Sequence, residues 1–366
     1  MPLSFDPHVL RTIDANLNRA REGLRVMEEY ARFVLDDAAL SAAMKETRHA
    51  LAAAVPQPLA ADLVRHRDIL GDVGTEFRTN CEYTRSQAHE VAMVAGKRLG
   101  EALRTIEEYG KIVDPAFAAA IERIRYRGYE LERRLALTVD ARARFGGIRL
   151  YVLLTEALCR DDWFATAEAV LRGGADALQL REKSLSDREL LIRATRLAAL
   201  CRDQNKILVI NDRPDIAAAS HAQGVHLGQD DVSVAAARRI LPTTCLIGVS
   251  THNLPQVEAA AAEVPDYIAV GPMFASGTKP QPTLAGPETL AAARRVTSLP
   301  LVAVGGIDEH NASQVLSTAP CCLCVCQSII SQPDVAAAAS RLRTLLDRPT
   351  VAAPIHELPA GIQPAT

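Results

Sequence analysis

The stretch "ALQLREK", residues 177–183, contains the pattern that decides the fold of the larger part of this chain. A short, mostly apolar run ends abruptly in charged residues, and a segment with helical periodicity follows it. The same unit recurs along the chain. The runs are "RLYVLLT", "ALQLREK", "ILVIND", "GVHLG", "LIGVSTH", "DYIAVGP", "LVAVGGI" and "CLCVCQSI".

These eight runs alternate with helical patterns, the first around 161–172 and the last ending near Leu346. Aliphatic runs that are separated by helices indicate parallel strands buried on both faces of a sheet. Eight such units in about 200 residues fit a closed barrel better than an open, doubly wound sheet. The sequence therefore predicts an α/β fold, a (β/α)8 TIM barrel, over residues 148–346.

Residues 1–140 follow a different period and predict an all-α bundle. Apolar residues recur at helical spacing in the first segment. They are Leu17, Ala20, Leu24, Met27, Ala31 and Val34. The segment "REGLRVMEEYARFV" (21–34) is echoed further along the chain by "GEALRTIEEYGKIV" (100–113), which predicts a duplicated helical hairpin.

The charged residues of this repeat have two readings. Glu and Arg three or four positions apart on a helix form solvated ion pairs. Alternatively, they surround a small-molecule pocket together with the loop "RHRDILGDVGTEFRTN" (65–80). The sequence leaves both readings open.

Composition limits the class of protein. The chain has 366 residues, 48% hydrophobic residues and a net charge of −3, so it has no basic excess for nucleic acid or for an anionic membrane. No apolar run is long enough to span a bilayer, and the start lacks a signal-peptide pattern. We expect a cytoplasmic protein with reduced cysteines that binds small molecules, with homo-oligomerisation left open and a disordered Pro- and Ala-rich tail at 349–366.

Polar residues at the predicted strand ends suggest a diphosphate site. If the second strand continued through "QLREK", Gln179, Arg181 and Lys183 would project to one face. An amide, a guanidinium and an ammonium are suitable donors for a diphosphate.

An acidic pair ends the third and fourth strands. Asp212, beside Asn211, and Asp231 would face the same rim of the barrel. Two carboxylates near a diphosphate suggest Mg²⁺, which prefers oxygen ligands. The same residues could instead be helix N-caps.

The loop "VGPMFASGTKP" (270–280) brings hydroxyls, a glycine and Lys279 to the end of the sixth strand. Such a loop can surround a phosphate with backbone N–H groups and an ammonium. Gly305, Gly306 and Ser328 follow the next two strands, where barrels often bind phosphate. Two anion subsites on one rim imply two phosphorylated reactants.

The motifs "QLREK", "ND" followed by "GVHLGQDD", "GVSTH", "VGPMFASGTKP" and "VAVGGI", in this order, resemble the thiamine phosphate synthase family over about 148–346. The resemblance implies a transferase that joins hydroxymethylpyrimidine diphosphate to a thiazole phosphate and releases diphosphate. It also implies Mg²⁺ as cofactor, bound by Asp212 and Asp231.

The resemblance also assigns substrate contacts. The pyrimidine diphosphate contacts fall on Gln179, Leu180, Arg181, Glu182, Lys183, Asn211, Ser250 and Lys279. The thiazole phosphate contacts fall on Ser276, Thr278, Gly306, Gln327 and Ser328. Relatives often have valine or isoleucine where Gln327 stands.

The implied mechanism is dissociative: Arg181, Lys183 and Lys279, with Mg²⁺, neutralise the departing diphosphate, and Ser250 belongs to the catalytic set. No protein nucleophile is assigned.

Two alternative functions remain: a thiazole tautomerase of the same superfamily, and a non-catalytic regulator that binds thiamine precursors. The predicted helical bundle resembles an extension described as a second type of hydroxymethylpyrimidine-phosphate kinase, and a scaffold role is equally open.

Overall fold

The structure is a computed structural model, and it describes residues 5–69, 84–275 and 284–347. The chain divides into two compact units. The first comprises residues 1–144 together with 295–299, and the second comprises the rest. The predicted tail at 349–366 lies outside the described residues.

The first unit is built from five described helices. They are α1 (Pro7–Phe33), α2 (Ala38–Ala54), α3 (Gln57–Arg65), α4 (Ala88–Val113) and α5 (Pro115–Phe145). The apolar stripe predicted for α1 is buried from Leu17 to Ala31, whereas Val34 is exposed. Val34 departs from the prediction because α1 ends at Phe33, so Val34 only caps the helix.

The sequence repeat has the same contacts in both copies. Glu28 on α1 accepts a hydrogen bond from Arg48 on α2, and Glu107 on α4 accepts one from Arg125 on α5. α1 also packs directly on α4: a Cβ atom at Gly23 would lie 3.0 Å from the carbonyl oxygen of Ala95. The two hairpins therefore repeat one plan of a buried glutamate paired with an arginine of the next helix.

These two ion pairs differ in burial. The Arg125 and Glu107 side chains are 7% and 4% exposed, while Arg48 is 26% exposed. Substituting Glu107→Gln leaves a buried guanidinium without its carboxylate, and we expect a loss of about 3 kcal/mol in unfolding free energy. For Glu28→Gln we expect the unfolding free energy to fall by only about 1 kcal/mol, because water reaches the Arg48 guanidinium.

Chemical denaturation followed by circular dichroism measures both losses. Glu130→Gln, which removes a solvent-exposed ion pair, is the control and should change stability by less than about 0.5 kcal/mol. If Glu28→Gln and Glu107→Gln lowered the unfolding free energy equally, burial of the paired arginine would not determine the size of the loss.

The second unit is a closed barrel of eight parallel strands, in the order β1 to β8 with β8 paired to β1. The strands are β1 (Leu150–Leu154), β2 (Ala177–Leu180), β3 (Ile207–Asn211), β4 (Gly224–Leu227), β5 (Leu246–Thr251), β6 (Tyr267–Val270), β7 (Leu301–Val304) and β8 (Cys322–Val325). The prediction of a (β/α)8 barrel after a helical bundle is confirmed.

Helices follow the strands. They are α6 (Trp163–Arg172), α7 (Asp187–Asp203), α8 (Pro214–Ser220), α9 (Val234–Ile240), α10 (Leu254–Glu263), α11 (Gly286–Val296), α12 (Ala312–Thr318), α13 (Gln327–Ile330) and α14 (Val335–Asp347). None of the described helices is long and apolar enough to cross a membrane.

Large and small residues alternate in the barrel interior. Phe145 stacks on Tyr267 with ring centroids 4.3 Å apart, and Tyr151 meets Tyr267 edge to face. Gly248 makes room for this cluster, since a Cβ there would lie 2.0 Å from Cζ of Tyr267. The tyrosine rings thus fill space that a side chain at Gly248 would occupy.

Two local expectations are wrong. β2 ends at Leu180, so Arg181 and Lys183 lie in the loop after it and not on the strand. The N-cap of α9 is Ser233, so Asp231 is not a helix cap. Among the described residues every cysteine is free, as expected.

Candidate active site

A cavity of about 990 Å³ opens at the carboxyl ends of the strands. It brings together most of the predicted site residues. Those that line it are Gln179, Arg181, Lys183, Asn211, Asp212, Asp231, Ser250, Gly306, Gln327 and Ser328. Residues from six different strand ends converge because the sheet is closed and all its strands run in the same direction.

Some predicted residues do not line this cavity. Leu180 is 1% exposed and belongs to the hydrophobic core. The Glu182 carboxylate accepts a hydrogen bond from the backbone N–H of Glu156 at 2.6 Å. Neither residue is among those that line the cavity, because Leu180 is buried in the core and the Glu182 carboxylate is bonded to the backbone of Glu156. Ser276, Thr278 and Lys279 lie outside the described residues.

The acidic pair lies in contact with a cation. Asp212 forms an ion pair with Lys183, and Asp231 accepts a hydrogen bond from the N–H of Gly228 at 2.6 Å. Asp212 has a left-handed backbone (φ 62°), a strained conformation that residues at functional sites often adopt. The turn after β3 thereby directs this carboxylate toward the neighbouring strand end.

The two carboxyl groups interact and titrate differently. Burial raises the pKa of Asp212, but the hydrogen bonds with Lys183 and Asp231 outweigh it and lower the pKa overall. Burial, and then the neighbouring Asp212, raise the pKa of Asp231. Like charges this close disfavour double ionisation. A divalent cation would relieve that repulsion, so this pair is suited to hold one.

Arg181 provides a second positive group. It lines the cavity, and it makes no ion pair with any carboxylate of the described residues. Its guanidinium is available to an anionic ligand in the cavity that the Lys183 side chain also lines. A forked donor beside a point charge is a suitable arrangement for a diphosphate.

A buried chain of hydrogen bonds crosses the barrel beneath these charges. Gln179 Nε2 donates to Tyr151 Oη at 2.6 Å, and Tyr151 Oη lies 3.1 Å from Tyr267 Oη. Tyr267 Oη lies 3.0 Å from His226 Nδ1, and His226 Nε2 lies 2.8 Å from Ser250 Oγ. The chain links two predicted substrate contacts, Gln179 and Ser250, through three residues that the sequence reasoning missed.

One direction of donation satisfies every member of the chain. Because Gln179 donates to Tyr151, the Tyr151 hydroxyl can donate to Tyr267, and Tyr267 can donate to His226 Nδ1. His226 then carries its proton on Nε2 and donates it to Ser250. The Ser250 hydroxyl is left with its own proton to donate into the cavity. Burial raises the pKa of both tyrosines well above its usual value, so they remain neutral.

A signal for the three missed residues was present in the sequence. Tyr151, His226 and Tyr267 interrupt the apolar strand runs with polar atoms, and all three are buried. Buried polar groups need hydrogen-bond partners. The partners come from other strands, however, so only the closed barrel reveals them.

Two glycines shape the far side of the cavity. Gly305 and Gly306 both have positive φ, 97° and 67°. A Cβ at Gly306 would lie 2.7 Å from the carbonyl oxygens of Phe274 and Ala275. The loops after β6 and β7 therefore pack backbone to backbone, and only glycine fits there. Ser328 joins them by donating from Oγ to the carbonyl of Ile307 at 2.9 Å.

Other residues of the cavity wall are structural. His252 Nδ1 lies 2.6 Å from the carbonyl oxygen of Gly271, which ties the end of β5 to the end of β6. Burial raises the pKa of Cys326 to about 12 and that of Cys324 well above its usual value. Both thiols are therefore protonated near neutrality and are poor nucleophiles.

Tyr267→Phe tests the hydrogen-bonded chain. The substitution keeps the ring packing but removes the hydroxyl between Tyr151 and His226, so Ser250 loses its fixed orientation. We expect kcat/KM to fall about tenfold, which corresponds to ~1.4 kcal/mol. Tyr126→Phe, at an exposed position of α5, is the control for the loss of a tyrosine hydroxyl. Unchanged kcat/KM in Tyr267→Phe would refute a positioning role.

Positive side chains, paired carboxylates and glycine-rich loops on the carboxyl rim of a closed parallel barrel are typical of enzymes that act on phosphorylated small molecules. Comparison with known proteins narrows this class. The family model described as thiamine monophosphate synthase matches residues 150–329, and the ThiD2 family model matches residues 11–134.

Similar proteins cover nearly the whole chain. A thiamine-phosphate synthase from Thermosynechococcus vestitus is 39% identical over 335 residues, 91% of this chain and 93% of its own length. One from Rhodopirellula baltica is 39% identical over 349 residues, 93% of each chain. The structure of a thiamine phosphate pyrophosphorylase from Pyrococcus furiosus has a TM-score of 0.51 at 30% identity, covering 54% of this chain and 95% of that one. This chain belongs to the thiamine-phosphate synthase family.

Proposed function

We propose that the barrel unit condenses hydroxymethylpyrimidine diphosphate with a thiazole phosphate to give thiamine phosphate and diphosphate. The bond between the pyrimidine methylene carbon and the diphosphate oxygen breaks, and the thiazole nitrogen donates the electron pair of the new C–N bond. Family membership and the 990 Å³ cavity support this proposal. The decisive observation is that Arg181, Lys183 and the pair Asp212 and Asp231 line one cavity.

Arg181 and Lys183 bind the diphosphate in this proposal. As the C–O bond breaks, negative charge accumulates on the leaving group, and a fixed guanidinium and ammonium stabilise it more strongly than they stabilise the bound substrate. Lys183 is paired with Asp212. Asp212 and Asp231 would hold a cation, and Lys183 would then be available to the diphosphate.

Asp212 and Asp231 would hold Mg²⁺. The donor set fits a hard cation, because it consists of two carboxyl groups from neighbouring strand ends, and Asp212 helps to raise the pKa of Asp231. The described residues hold no cluster of three or more metal-ligating side chains, so substrate and water oxygens would fill the other positions. Bound there, Mg²⁺ supplies charge neutralisation to the departing diphosphate.

Gln179 and Ser250 orient the aminopyrimidine. The Gln179 amide is 3% exposed and has one N–H committed to Tyr151, so its carbonyl oxygen and second N–H remain for a ligand. Ser250 donates from a hydroxyl fixed by His226. Asn211 lines the same wall. On the opposite wall Gly306 and Ser328, with Ser276, Thr278 and Lys279 by resemblance, bind the thiazole phosphate.

A thiazole tautomerase would transfer a proton and would not need a diphosphate site. The positively charged Arg181 and Lys183 line the same cavity as Asp212 and Asp231. This combination favours the transferase. A regulator that only binds precursors would show binding without turnover. Incubating the purified chain with both phosphorylated precursors and Mg²⁺, and assaying thiamine phosphate and diphosphate, separates the three functions.

Asp212→Asn tests the metal ligands. The substitution removes one carboxylate charge without changing side-chain size, and we expect kcat to fall about 100-fold or more. Chelation with EDTA should abolish turnover of the wild type. Asp203→Asn, at the exposed end of α7, is the matched control and should retain full activity. Turnover that persists in EDTA would refute the role of Mg²⁺.

For the helical unit we propose phosphorylation of hydroxymethylpyrimidine phosphate, supported by its match to the ThiD2 family and by the resemblance in sequence. A scaffold role is the alternative. Full-length Asp212→Asn protein, whose barrel should be slow to consume the product, is incubated with ATP, Mg²⁺ and the pyrimidine monophosphate. Accumulation of pyrimidine diphosphate supports the kinase, and its absence at millimolar substrate favours the scaffold.

A further inference from the structure

We propose that the helical unit contains a second ligand site, a groove between α1 and α4 that binds a small phosphate monoester. The groove has a volume of about 750 Å³, which is within the usual range for small-molecule sites. It is formed entirely by residues of the first unit. It therefore shares no lining residue with the barrel cavity.

Small residues create the depth of the groove. Gly23 on α1 and Ala95 and Ala102 on α4 line it, and all three are buried. The helices can approach closely at Gly23, as its contact with Ala95 demonstrates. Gly23, Ala95 and Ala102 form the bottom of the groove, and longer side chains surround them. The surface is therefore concave where the two helices cross.

Four of the five charged residues that line the groove occur as repeat-related pairs, and the fifth is Arg85. Arg19 and Arg98 each stand two positions before a copy of the repeat, and Glu22 and Glu101 occupy the second position of each copy. All four residues line the groove. The duplication therefore places two guanidinium and two carboxylate groups around one depression. Of the repeated Glu and Arg residues that the sequence analysis considered, Glu22 and Glu101 line this groove, whereas Arg25 and Arg104 do not.

The arginines among these four residues differ from the ion-paired arginines of the repeat. Arg25 and Arg104 each form ion pairs with two glutamates of their own helix. Arg19 and Arg98, in contrast, make no ion pair with any described residue, although Glu22 and Glu101 follow them at i+3 spacing. Their charges are available to a ligand.

The arrangement of charge and apolar surface indicates the ligand class. Two guanidinium groups can bind the oxygens of one dianionic phosphate through paired hydrogen bonds. Glu22 and Glu101 can accept hydrogen bonds from amino or hydroxyl groups of the same molecule. Val26 and Val94 add apolar wall for a ring. The site would therefore take the phosphate monoester of a ring that carries amino or hydroxyl donors.

Binding to the full-length chain tests this site, using calorimetry with inorganic phosphate and with hydroxymethylpyrimidine phosphate. The second probe rests on the proposed function of the helical unit, and the first does not. We expect Arg19→Ala and Arg98→Ala each to weaken binding of the pyrimidine phosphate about tenfold or more, since each removes a charge-assisted contact. Arg21→Ala, on the same helix but outside the groove, is the matched control.

The outcomes separate the site from the other proposals. Thiamine phosphate formation from preformed pyrimidine diphosphate should be unchanged in Arg19→Ala, because the residue is not in the barrel. Binding that depends on both arginines supports the site even if ATP yields no phosphoryl transfer. Binding of neither probe, or binding unaffected by both substitutions, would overturn it. So would a change of oligomeric mass in Arg19→Ala without loss of binding, which would assign the groove to a contact between copies.

Discussion

Closure of the parallel sheet is the constraint on which the candidate active site depends. β8 pairs with β1 in the register Leu150 with Leu323 and Val152 with Val325, which leaves no sheet edge and sends all eight carboxyl ends to one rim. In an open sheet Gln327 and Gln179 would lie at distant positions. In the closed barrel they line the same cavity. Closure also leaves an interior that side chains must fill, and it is filled partly with polar aromatic residues whose hydroxyl groups link one wall to another.

Opposite charges limit electrostatic repulsion at this rim of the barrel. Lys183 neutralises Asp212, while burial and the neighbouring carboxylate raise the pKa of Asp231. A concentration of like charge would otherwise destabilise the fold. In the function proposed above, a divalent cation would pair with the two carboxylates and the diphosphate would pair with the Lys183 ammonium. The proposed function would therefore use these residues in a second set of pairings.

The helical unit also pairs its buried charges, and it does so twice because its helical hairpin is duplicated. Each copy buries one glutamate against an arginine of the following helix, Glu28 with Arg48 and Glu107 with Arg125. Buried pairs of this kind add little net stability but penalise wrong packing, because an unpaired buried charge is costly. Arg19 and Arg98, which form no ion pair with a described residue, line the groove between α1 and α4.

Much of this protein could be read from its sequence. The number and order of strands, the helical character of the segment 1–140 and the duplication follow from local periodicity, which depends only on neighbouring residues. Arg181, Lys183, Asp212 and Asp231 could be identified because charge immediately after an aliphatic run is a local signal. Their roles as substrate and metal contacts remain predictions, as do those of Ser276, Thr278 and Lys279.

The tertiary structure alone decided which distant groups meet. Tyr151, His226 and Tyr267 belong to three strands that are far apart along the chain, and only barrel closure aligns them into one hydrogen-bonded chain. The end of β2 at Leu180 and the positive φ of Asp212 likewise depend on neighbouring strands. Local sequence determines which elements form, because propensity and burial pattern act over a few residues. Contact between elements depends on register and closure, which are properties of the whole chain.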